Sequence, residues 1–123
     1  MSVTTTLKID GGTVASMTLP EKERFETIDG GTLGTRGVHI WRSADGTCVT
    51  GVWECDAGTF HADFSDYGEC IHVIGGELIC TADVNGTVTT LLPGDSMVFP
   101  RGWTGEWNVR SPLRKVFSSW EVT

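Results

Sequence analysis

Apolar and polar residues alternate in short runs along most of this chain, and turn residues cut the runs at close intervals. Runs of strand length fall at 38–42, 47–55, 59–64, 69–74, 77–83, 87–92, 96–99, 104–109 and 113–122. Between them stand Ala44-Asp45-Gly46, Asp56-Ala57-Gly58, Gly75-Gly76, Val84-Asn85-Gly86, Pro93-Gly94-Asp95 and Pro100-Arg101-Gly102. Each is rich in residues suited to turns. Nine short β-rich runs at near-regular spacing predict an antiparallel sandwich or barrel, and Asn85-Gly86 is the strongest hairpin signal. A parallel α/β fold is disfavoured because no segment is long enough to serve as a crossover helix.

Residues 1–35 differ in kind. They hold two Gly-Gly pairs, scattered apolar positions (Leu7, Ile9, Val14, Met17 and Leu19) and a charged stretch, Pro20-Glu21-Lys22-Glu23-Arg24, with the length of one helical turn. The apolar positions need cover, so residues 1–35 are expected to form an arm packed on the barrel or on a partner, and residues 36–123 the barrel itself.

A chain of 123 residues fits one domain, and 39% hydrophobic residues with five Trp and five Phe can fill its interior despite 16 glycines. The 16 acidic and 9 basic residues leave a formal charge of −7. Nucleic acid and anionic membrane are therefore poor partners, since both demand clustered Lys and Arg and the only adjacent basic pair is Arg114-Lys115. No apolar run approaches a spanning length and the start lacks the pattern of a signal peptide, so a cytoplasmic protein is expected. Cys48, Cys55, Cys70 and Cys80 form no CxxC pair, which argues for reduced, buried thiols over a zinc or redox motif.

From Gly58 onward the spacing resembles the two sequence blocks of the cupins. Gly58, Glu69 and Gly76 take three places of the first block, and Gly94-Asp95-Ser96-Met97-Val98-Phe99-Pro100-Arg101-Gly102 resembles the second. The chain is most similar to the small single-domain cupin_3 or DUF861 type, the (S)-ureidoglycine aminohydrolase-like cupin domain related to the ethanolamine-utilisation cupin. Gly51-Val52-Trp53-Glu54-Cys55, Glu69-Cys70, Trp103, Trp107 and Arg114-Lys115-Val116 carry that likeness. It implies an all-β antiparallel double-stranded β-helix, the jelly-roll barrel of RmlC-like cupins, and a homodimer.

The chain departs from the superfamily at its metal ligands. Aligned on Glu69, the histidine places fall at Ala62, Phe64 and Gly105, and one carboxylate cannot hold a transition metal. No cofactor is expected. The alternative is a metal held by His61 and Glu69, which needs a bulge to turn His61 inward. His72 falls on the strand face opposite Glu69, and His39 beside Trp41 reads as an ordinary histidine.

Strand alternation places Trp107 and Val109 inward from Gly105, where the absent side chain is expected to open space beside Trp107. Trp53, Met97, Phe99, Trp103 and Trp107 then line a small apolar pocket as ligand-binding residues, with Glu69 and Lys115 as its polar, catalytic members. Tryptophans also pack barrel cores, and Lys115 can snorkel to solvent. Glu69 is the harder to assign to structure alone, because a carboxylate inside a barrel is costly unless something pairs with it. Glu54, Asp63 and Asp66 read as solvated. Three functions follow: a binder of a small polar, nitrogen-containing metabolite, a metal-independent or weakly metal-dependent enzyme of the ureidoglycine aminohydrolase-like type, or a dimeric accessory protein without catalysis.

Overall fold

The computed structural model describes residues 5–121. Residues 1–4 of the expected arm and Val122, where the last expected run ends, lie outside them. One helix, α1 (Gly11–Ser16), precedes nine strands among the described residues. These are β1 (Phe25–Glu26), β2 (Thr32–Leu33), β3 (Thr35–Arg42), β4 (Cys48–Cys55), β5 (Gly58–Asp63), β6 (Gly68–Ala82), β7 (Val88–Leu91), β8 (Ser96–Phe99) and β9 (Thr104–Trp120).

Strands β6 and β9 pair antiparallel along their whole lengths, from Gly68 opposite Trp120 to Ala82 opposite Gly105. One half of this spine carries β4 and β3 on β9 and β8 on β6, and the other half carries β5 on β9 and β7 on β6. Two antiparallel sheets therefore share two bent strands, which is the expected all-β jelly-roll barrel. The inward positions form one core, in which Cys55, Ile71, Val73, Leu78, Phe99 and Leu113 are almost completely buried.

Gly75-Gly76 is not a turn. It lies within β6, joining two expected runs into one strand, and pairing with β9 shifts register on both sides of it. Gly76 has φ +87°, and a Cβ there would lie 2.2 Å from the Pro112 carbonyl oxygen. The glycines thus form a bulge that bends β6 against Ser111-Pro112, and β9 in turn runs through the expected break at 110–112. Asn85-Gly86 does close the β6–β7 hairpin, with the Ala82 N–H donating to the Thr87 carbonyl.

The stretch Pro20 to Arg24 is extended where one helical turn was expected. Glu21 bridges Arg36, the Lys22 N–H donates to Thr35 O, and Gly37 N–H donates to Pro20 O. The unpaired edge of β3 offers backbone partners that an isolated turn cannot match. The helix forms earlier, at Gly11–Ser16, where the Asp10 carboxylate caps the Thr13 N–H at 2.9 Å.

Packing divides the first 35 residues in two. Val14 and Leu19 pack against Val52 on the outside of the sheet, together with Met17, Val38, Ile74 and Val116. Arg114 holds this segment by donating Nη1 to the Val14 and Met17 carbonyls at 2.9 and 2.8 Å. Leu33, by contrast, belongs to the main core with Cys55 and Phe60, and the Phe25 ring lies against Trp53 and Phe60. Among the described residues no helix is long and apolar enough to cross a membrane.

Candidate functional site

Alternation along β6 turns Glu69, Ile71 and Val73 inward, and along β9 it turns Lys115 and Phe117 inward beside them. Trp53 of β4 stands directly opposite Lys115, and Phe60 of β5 directly opposite Trp107. Glu69, Lys115, Phe117, Trp53, Phe60 and Trp107 surround a cavity of about 820 Å³, whose rim carries Lys22, Arg24, Glu26 and His39.

Glu69 and Lys115 are 6% and 5% exposed, and Lys115 Nζ donates to Glu69 Oε2 at 2.5 Å. The ammonium also lies 4.8 Å from the Trp53 ring centre, 5.0 Å from Trp107 and 5.3 Å from Phe117. Ring quadrupoles and the carboxylate together offset the hydration that the cation gives up. Tyr67 sits at the same end, where burial and then the Glu69 charge hold its phenol above the usual range. Trp107 Nε1 is the one buried side-chain polar atom among the described residues without a hydrogen-bond partner. Burial pushes the Cys55 and Cys80 thiols up to about 12, which makes them inert packing groups.

Four of the sequence-predicted site residues, Glu69, Lys115, Trp53 and Trp107, meet at this cavity. Met97, Phe99 and Trp103 do not line it. Phe99 is fully buried behind Phe64, whose ring stacks on it with centroids 4.9 Å apart. Trp103 and Met97 line a separate depression of about 220 Å³ with Cys80 and Val84. Alternation places these residues inward, but Phe64 stands between them and the cavity. Phe25, Phe60, Phe64 and Tyr67 are among the lining residues that sequence reasoning missed. The alternation Phe60, Ala62, Phe64 carried that signal.

The space expected at Gly105 is filled. A Cβ there would lie 2.4 Å from Thr81 O and 2.5 Å from the Trp103 ring, so Trp103 takes up the volume that a longer side chain would need. Ala62 and Phe64 are buried in the core. His61 and Glu69 do not come together either: the His61 side chain is 54% exposed and hydrogen-bonds Asp83 at 2.8 Å, while Glu69 is held by Lys115. No bulge interrupts the β5–β9 ladder, so His61 keeps the outward phase of its strand. Among the described residues no three His, Cys, Asp or Glu side chains converge on one point, and this donor set does not fit a divalent metal. Glu54 is less solvated than its position in the sequence suggests, since it bridges Arg36 and Arg114.

A bent double sheet with a cavity between its layers and the Gly94 to Gly102 turn region defines the cupin class. Residues 42–117 match the EutQ-like cupin domain, more than half of the chain, and the chain belongs to that family. Among solved structures it is similar to the Clostridium difficile EutQ protein, with 19% identity, TM-score 0.68, and 85% of this chain and 81% of that one covered. It is also similar to the ethanolamine utilization protein Q of Salmonella typhimurium LT2, with 22% identity, TM-score 0.62, and 82% and 79% covered. A DUF861 family protein from Pseudomonas syringae pv. tomato DC3000 shares 17% identity at TM-score 0.75, with 85% of this chain and 45% of that one covered. At these identities the fold is what is shared. No curated protein matches the chain in sequence.

Proposed function

We propose that the cavity binds a small polar, nitrogen-containing metabolite whose head group meets Glu69 and Lys115 and whose body lies among the aromatic rings. The buried ion pair carries this reading. Two desolvated charges are weak stabilisers, and well-packed apolar residues would serve the fold as well. A pair kept at the inner end of a cavity walled by Trp53, Phe60 and Trp107 fits recognition better than packing. A ligand nitrogen donates to the carboxylate, and a ligand oxygen accepts from Lys115.

The test is a thermal-shift and NMR titration with ethanolamine, simple amides and simple ureas, ethanolamine being chosen because similar proteins are named for its utilisation. A binding member raises the melting temperature of the wild type and leaves Glu69→Gln unmoved. An equal shift in both proteins, or none with any member, counts against the reading.

A second reading, a metal-independent enzyme, draws on the 2.5 Å contact, which is short enough for a proton to pass between Lys115 and Glu69. Turnover of a bound ligand by the wild type and its loss in Glu69→Gln separates it from simple binding.

A further inference from the structure

We propose that Lys115 is a nucleophile that captures a small aldehyde or ketone as a protonated imine, with Glu69 moving the protons. This rests on the cavity being a ligand site and adds a covalent step to it. The chain has three lysines. Lys8 and Lys22 are exposed, Lys8 with 87% of its side chain in solvent and Lys22 on the cavity rim, whereas the Lys115 side chain is 7% exposed and lies at the inner end of the cavity.

Three features of the site suit a carbonyl group. The first is a proton acceptor in contact with the amine, since Glu69 Oε2 lies 2.5 Å from Lys115 Nζ. The second is a set of rings around the amine, Trp53, Trp107 and Phe117, whose centres lie 4.8, 5.0 and 5.3 Å from Nζ and which favour a cation there before and after the step. The third is a cavity of about 820 Å³, open to solvent at its charged rim and walled deeper by Trp53, Phe60 and Phe64, with room for the organic part of the ligand.

The step balances without any oxidant or reductant. Glu69 takes a proton from the ammonium, and the freed lone pair attacks the carbonyl carbon to form the C–N bond. The carbonyl π electrons move to oxygen, which takes that proton from Glu69. A second nitrogen proton then passes to Glu69 and on to the hydroxyl. The C–O bond breaks, water leaves, and the nitrogen lone pair closes the C=N bond. The ammonium has become an iminium of the same charge in the same place. Its remaining N–H still faces Glu69, and the Trp53, Trp107 and Phe117 rings that hold the ammonium hold the iminium too. The site is therefore preorganised for the product, and its aromatic walls favour carbonyl compounds with an apolar body.

The full chain is incubated with benzaldehyde and sodium cyanoborohydride at neutral pH, and the reduced adducts are located by intact mass and peptide mapping. One benzyl adduct is expected on Lys115, formed at least about tenfold faster than on Lys8 or Lys22 although both are far more exposed. Glu69→Gln is expected to slow it by about 100-fold. The double variant Lys115→Met with Glu69→Gln removes both charges together, keeps the fold and loses the adduct. Labelling that follows exposure, with Lys8 and Lys22 modified and Lys115 spared, overturns the proposal. Benzyl alcohol, which has the same body and no carbonyl, separates the two levels. If it stabilises the wild type while Lys115 stays unlabelled, the imine falls and the binding cavity stands. If it fails to bind and Lys115 is also spared, the imine falls, and the ethanolamine, amide and urea titration decides the binding cavity.

Discussion

On the β6–β9 ladder Lys115 stands opposite Val73 and Glu69 stands opposite Ser119, yet their side chains meet at 2.5 Å. The lysine must therefore lie along the strands across the inner face of the sheet. There its methylenes cover apolar surface while its ammonium reaches the carboxylate. Removing either partner leaves an uncompensated buried charge, so Glu69→Gln and Lys115→Met should each cost about 3–5 kcal/mol. The double variant should be far more stable than the sum of the two implies, as urea unfolding of all four proteins will measure. Additive losses would mean that the two charges do not depend on each other.

Gly105 and Trp103 form one packing unit, because the indole occupies the space in which a Cβ would sit, 2.5 Å away. The other close atom is the Thr81 carbonyl oxygen at 2.4 Å, which is backbone and cannot rotate aside. Gly105→Ala should therefore destabilise by about 1–3 kcal/mol or more, read from the urea midpoint. A midpoint equal to that of the wild type would show that the barrel wall yields there.

Arg114 holds the segment around α1 through the Val14 and Met17 carbonyls. Arg114→Ala should release it without opening the barrel. In hydrogen exchange, the Val14 and Met17 amides, which donate to Asp10 O and Thr13 O, should exchange about tenfold faster, while the β6–β9 ladder keeps its protection. Equal acceleration in the ladder would assign Arg114 to global stability.

Glu54 gives stability a defined response to acid. Burial pushes its carboxyl up, but hydrogen bonds from Arg36 and Arg114 and their charges more than offset this and hold it below the usual glutamate range. A carboxyl whose pKa is lower folded than unfolded stabilises the fold fully above its unfolded value. That contribution is lost as pH falls through the folded value. Glu54→Gln should thus be less stable than the wild type at neutral pH, by about 1–2 kcal/mol. The gap should close as pH falls below the unfolded carboxyl range, in urea denaturation at a series of pH values. A gap independent of pH would remove the charge from the explanation.

The inward phase of Glu69 and Trp107 was legible once the likeness to cupins set Glu69 and Gly105 inward, because a strand repeats every two residues, and alternation grouped Trp53 with Cys55 and Lys115 with Phe117. The separation of Met97, Phe99 and Trp103 from the cavity was not legible. It depends on Phe64, which reaches the interior from just past the end of β5 and packs against Phe99 and Trp103, far from it in the chain. The arm shows the same limit. The apolar spacing of Val14, Met17 and Leu19 demanded cover, but only the outer surface of Val38, Val52 and Val116 decided where the cover would come from.

Turn chemistry and alternation are local properties of a peptide, and from them the sequence by itself determined an antiparallel β barrel and its Asn85-Gly86 hairpin, while the likeness to cupins suggested an acid, Glu69, on the inner face. Glycine's conformational freedom is the same in a turn and in a bulge, so the joining of two runs at Gly75-Gly76 waited on the approach of Pro112 from β9. The filling of the Gly105 space by Trp103 and the meeting of Glu69 with Lys115 are likewise contacts across the closed barrel. Only the tertiary structure decided them, because distance between strands is set by long-range register and sheet closure, which no local pattern of residues encodes.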